Sequence, residues 1–217
     1  MNILEERVLQ LIGEDPESPD IYPDTDDGLE PVRDSLNDAI EEITMISGSY
    51  QRKYYVPLIE NQMFYRMNFS PASLGWITEA WLVNQKRRLV QKDLIYLSKQ
   101  DPRWMISTGS QLVYVPIGDD IVAFWRRPSA SSDVVELKCV VIPSRYERSV
   151  DRIKLRTEYQ WAAVHYAVSE WWASRGDARE ALKHHNAYLG LLGLRELYPY
   201  SREKFYQNRT TKEAANT

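Results

Sequence analysis

The stretch from Asp151 to Leu194 constrains the fold of this chain more than any other, because only Gly176 interrupts its helical pattern. Its first half, IKLRTEYQWAAVHYAVSEWWASR, carries apolar residues on two faces rather than one. Leu155, Tyr159, Ala162 and Tyr166 recur at the spacing of one helical face, and Trp161, Val164, Val168 and Trp172 at that of another. A helix on the outside of a monomer needs a single apolar stripe. This one is therefore either the central post of its domain or a helix with one face covered by another subunit. Gly176 can take the left-handed conformation that ends a helix, and Asp177 supplies a capping oxygen with Glu180 in capping-box position. Ala178, Leu182, His185, Leu189 and Leu192 are the expected buried stripe of the second helix, with Gly193 as its stop. So short a turn lays the two helices antiparallel.

The rest of the chain divides by periodicity. Residues 3–12 read as a short amphipathic helix with Leu4, Val8 and Leu11 on one stripe. A loop rich in Pro, Asp and Ser follows, and then Leu29, Val32, Leu36, Ala39 and Ile43 recur at helical spacing up to Gly48. From Tyr50 to Pro143 the period falls to two. QRKYYVPLI, QMFYRM, WITEAWLV and VVELKCVVI read as strands, and QLVYVPI and IVAFWRR as a hairpin around Gly118-Asp119-Asp120. DLIYLSKQD is a short helix that Asp93 can cap. The expected fold is α+β: a helical bundle (residues 1–49 and 144–195) interrupted by an antiparallel β insertion (50–143), with an extended C-terminal tail (196–217). The tail alternates Tyr198, Tyr200, Phe205 and Tyr206 with Arg202, Lys204 and Arg209.

Composition narrows the function classes. The single cysteine, Cys139, rules out a disulfide within the chain and reads as a small buried hydrophobe. No apolar run approaches the roughly 18–20 residues of a membrane span, and no signal-peptide pattern opens the chain. A soluble protein of cytoplasmic origin is expected. A net charge of −4 hides an asymmetry: Glu14 to Glu42 holds twelve acidic residues and one base, Arg33. From Arg145 to Lys212 bases exceed acids, thirteen to eight. Such a split is ordinarily two solvated faces; unlike ends could also meet head-to-tail between copies.

A search for reactive constellations returns none. His165, His184 and His185 have no carboxylate or second histidine four residues on along the same helix face, so they read as core or surface histidines. No phosphate-cradling glycine loop is present, and Asp24, Asp26 and Asp27 lack calcium-loop spacing. The Lys86-Arg87-Arg88 and Arg126-Arg127 groups sit at strands or turns, and a pI near 5.5 opposes tight duplex binding. The expectation is a non-enzymatic protein without cofactor or metal.

The order of elements resembles that of the head–tail adaptor (connector) proteins of tailed bacteriophages. The residues that carry it are VRDSLNDAIEEI, DLIYLSKQDPRW with QLVYVPI, and YQWAAVHYAVSEWWASRGDAREALKHHNAYLGLL, across roughly residues 28–194. The resemblance implies a structural virion protein of the neck: a homo-oligomeric ring, commonly a dodecamer, below the portal protein. Such a ring extends the channel, docks a tail, stopper or terminator protein, and lets double-stranded DNA pass without specific binding. Carried onto this chain, it implies ring contacts at Trp161, Trp171 and Trp172. It implies portal docking by Tyr198, Tyr200, Phe205, Tyr206 and Arg209. An acidic channel wall would repel phosphates and let DNA slide. Three other readings remain open: a tail-completion or tail-terminator subunit, a small-ligand-binding or enzymatic domain using the β region, and a nucleic-acid-binding regulator.

Overall fold

A computed structural model describes residues 1–15, 17, 25, 27–131 and 133–194. It shows a mixed α+β fold: N-terminal helices, a β insertion and a closely packed C-terminal helix pair. The described residues form two compact units, one from those of 1–47 and 145–194, the other from Gly48–Ser144. The expected tail, with Tyr198, Tyr200, Phe205, Tyr206 and Arg209, lies outside the described residues.

The first unit is helical. α1 (Ile3–Ile12) begins with a capping box in which the Asn2 side chain accepts from the backbone N–H groups of Leu4 and Glu5, and the Glu5 carboxylate accepts from that of Asn2. α2 (Glu30–Ser47) buries Val32, Leu36, Ala39, Ile40 and Ile43. α4 (Thr157–Ser174) packs against α1, α2 and α5 (Ala178–Leu191). It buries Ala162, Ala163, Val164, Ala167 and Val168, small residues that let three neighbours approach one helix. The helix with two apolar faces is the central post, and its own chain covers most of both, leaving Trp161 exposed.

Three details differ from the sequence expectation. Leu11, expected on the α1 stripe, is exposed, and Leu9 and Ile12 are buried in its stead. α4 starts at Thr157, six residues later than the pattern predicts, because Asp151 accepts from the backbone N–H groups of Glu147 and Arg148 before it. That carboxylate closes a turn instead of capping a helix, and Leu155 enters the core from irregular chain. On α5 the buried residues are Ala181, His184, His185, Tyr188 and Leu189. Tyr188 goes fully inside because its hydroxyl donates to Glu42 at 2.8 Å. Ranking positions by aliphatic character alone therefore misplaces the stripe: Ala178 and Leu182 are only partly covered.

A polar knot joins α1, α2 and the segment after residue 144. Glu5 is fully buried; its carboxylate accepts from Arg33 Nε at 3.1 Å and from the Ser149 hydroxyl at 2.7 Å. Arg33 also donates to the Glu147 carbonyl and to Ser149. One turn along α2, the Asn37 amide donates to the Tyr146 carbonyl at 3.0 Å and accepts from its N–H at 3.1 Å. Arg145 pairs with Asp34 and Asp38 on the exposed side. Arg33, the lone base of the acidic N-terminal stretch, is thus a structural cation.

The second unit holds two four-stranded sheets. β1 (Gln51–Pro57), β8 (Val134–Ile142), β3 (Ser73–Leu82) and β4 (Arg87–Arg88) make one, in that order. β2 (Phe64–Arg66), β7 (Ile121–Trp125), β6 (Val113–Ile117) and β5 (Val90–Gln91) make the other. Every pairing between these strands is antiparallel except the two-residue β5–β6 contact. Val56, Ile77, Leu82, Leu137 and Cys139 of the first sheet share a core with Tyr65, Tyr114, Val122 and Phe124 of the second. A smaller core of Met63, Leu97, Val113, Val115 and Ala123 seats the short α3 (Leu94–Gln100), which Asp93 caps. Cys139 is fully buried, and burial pushes its thiol up to about 12, so it is an inert core residue at neutral pH.

Candidate functional site

The helical unit leaves several large apolar side chains open, Ile3, Ile46, Val150 and Leu191 among them, and one aromatic on the first turns of α4. Trp161 is 43% exposed. Arg7 of α1 lies over its ring at 4.3 Å, and the His165 ring is tilted against it at 6.2 Å. Arginine over an indole face covers apolar surface while keeping its charge in water. Trp171 and Trp172 stand elsewhere on the same helix. They pack edge to face at 4.6 Å against the helical core, with Arg175 over Trp171 at 4.2 Å. The indole nitrogen of Trp172 is buried with no hydrogen-bond partner among the described residues. Of the three tryptophans singled out by sequence, one offers an open face and two close the domain.

A groove of about 310 Å³ runs between the helices beside Trp171, lined by Val8, Pro31, Val32, Ala167 and Glu170. Its lining mixes carboxylate and aliphatic surface. Among the described residues no group of three metal-ligating side chains assembles. No helix there is long and apolar enough to cross a membrane. Charged pairs on the surface of the β unit include Lys53 with Glu136, Lys138 with Glu79 and Arg66 with Asp120. Hydrogen bonds from Lys138 and Trp81 hold the Glu79 carboxyl below its usual range, and Lys53 and Tyr55 do the same for Glu136.

The structure brings together one pair that the sequence reading treated separately. His165 of α4 and His184 of α5 face each other with their Nδ1 atoms 2.9 Å apart. His184 is 6% exposed and His165 is half-buried at the mouth of a shallow opening lined by Lys183, Asn186, Gly190 and Leu191. Burial lowers the affinity of both rings for a proton. For His184 the neighbouring His165 and Lys183 lower it further, against an opposing pull from Glu180. The signal was available: an antiparallel hairpin turning at Gly176 juxtaposes residues at comparable distances on either side of the turn. Searching each helix alone for partners four residues away cannot find such a pair.

No protein-family model matches this chain, and no curated protein matches it.

Proposed function

We propose that this chain is a structural subunit of a phage neck, a head–tail adaptor that assembles as a ring below the portal protein and docks a tail component. The layout supports the reading: both ends of the chain build one helical unit, and a β unit is inserted between them. The observation that carries it is Trp161. It is a large aromatic on the central helix and is 43% exposed. Exposed tryptophan capped by arginine is the composition of an interface core, in which those two residue types are enriched. A second copy or the portal would cover it. The aromatic and basic residues of the tail, Tyr198, Tyr200, Phe205, Tyr206 and Arg209, are assigned to portal docking on the resemblance alone.

Light scattering on the full chain, alone and mixed with a candidate phage portal protein, tests the reading. A complex whose mass is an integral multiple of the 25.4 kDa chain added to that of the portal is expected. Failure to associate at high concentration, in any order of mixing, overturns it. Binding to isolated tail tube but not to portal would reassign the chain to tail completion.

A further inference from the structure

We infer that His165 and His184 form a proton-sharing latch across the C-terminal hairpin, which holds with no extra proton or with one and opens with two. Two imidazole nitrogens at 2.9 Å need either a proton or a metal ion between them. The ring positions decide which. Each nitrogen lies about 1.2 Å from the centre of its own ring, so two rings aimed at each other along one line place their centres about 5.3 Å apart. The observed centroid separation is 5.2 Å. Rings that both aimed at one ion would bend towards it. With metal–nitrogen bonds of about 2.0–2.1 Å and nitrogens this close, their centres would fall to about 4.5 Å. The geometry is that of an in-line N–H···N hydrogen bond.

The proton count follows. With both rings neutral, one Nδ1 carries hydrogen and the other offers its lone pair; each ring's remaining nitrogen lies outside the bond. A first added proton enters on Nε2 of the donor ring and turns the bond into a charge-assisted one. His165 is the less buried ring and so the one that carries the charge at lower cost. A second proton has only the acceptor's Nδ1 left, the atom already occupied by the bond. Adding it removes the acceptor and sets two cations side by side in a half-buried seam, so α4 and α5 separate locally.

The surrounding charges do not offset that repulsion. From α5, Glu180 acts on His184, but its carboxylate is held by Lys183 at 2.7 Å, and Lys183 is itself a nearby cation. From α1, Arg7 adds a positive charge beyond Trp161. From α2, Glu42 is engaged by the Tyr188 hydroxyl.

The chain has three histidines, so imidazole resonances of the full-length wild-type protein can be assigned and titrated by NMR. The expected result is one exchange-protected Nδ1 proton shared by two rings. The second protonation of those rings is expected to coincide with loss of amide protection along α5. Two rings that titrate independently, with α5 undisturbed throughout, overturn the inference. So does one equivalent of Cu(II) or Ni(II) displacing the shared proton at neutral pH, which would make the pair a chelate. As a second measurement, the double variant His165→Gln/His184→Gln should lose roughly half or more of the acid-induced fall in Tm seen between about pH 7 and pH 5. A fall as large as in the wild type also overturns it.

Discussion

Arg33 and Glu5 show how much a single side chain can fix when its partner is remote in sequence. Removing Arg33 as Arg33→Met leaves the Glu5 carboxylate fully buried beside a hydroxyl and one backbone N–H. A cost of about 3–5 kcal/mol in urea unfolding is expected. The paired change Glu5→Leu/Arg33→Met should recover most of that loss, because no buried charge remains. Cys139 supplies a separate check: with its thiol pushed up to about 12, alkylation near neutral pH should track global unfolding and be negligible below it. The histidine latch has a signed pH dependence. Burial lowers proton affinity in the folded chain, so the unfolded chain binds more protons as pH falls through the ordinary histidine range. Stability contributed by the pair is complete above that range and declines below it, by at most about 1.4 kcal/mol per pH unit for each proton of difference. The buried polar partnerships of α2 could not be read from the sequence. Glu5 and Arg33 are 28 residues apart and Asn37 and Tyr146 are 109 apart, and nothing local marks either pair.

At the scale of elements, local chemistry was legible wherever one residue type has one physical use. Gly176 has φ +81 and ends α4, and Asp177 accepts from the N–H groups of Arg179 and Glu180 to start α5, but Glu180 does not complete the expected capping box: its carboxylate takes Lys183, and the Asp177 N–H goes to the Trp172 carbonyl. A Cβ on Gly176 would meet nothing, so Gly176→Ala isolates the conformational term. A loss of about 1–2 kcal/mol in thermal unfolding is expected from the left-handed backbone alone. Asp177→Ala should cost about 1 kcal/mol through the lost cap. Strands with alternating patterns were equally clear, and the predicted hairpin closes with Gly118 at φ 60. The two-residue strands β4 and β5 were not visible, since periodicity needs more residues than they have. The buried stripe of α5 was misread for a different reason. Tyrosine and histidine enter a core when their polar atoms find partners, and those partners sit on other helices.

For the whole molecule, the alternation of helical and strand periods was enough to give the α+β class and the inserted β unit. Function was less legible. A helix with two apolar faces allowed either a central post or an intersubunit helix, and α1, α2 and α5 account for most of that surface. What remains for a neighbour is the Trp161 face with Arg7 beside it. The adaptor reading therefore narrows to one patch, and one comparison tests it. Native masses should be measured for wild type and Trp161→Glu, each with portal present, after circular dichroism has matched their folded content. The account predicts a portal-bound ring for the wild type and a folded, unassembled chain for the variant. Identical assemblies from both would contradict it.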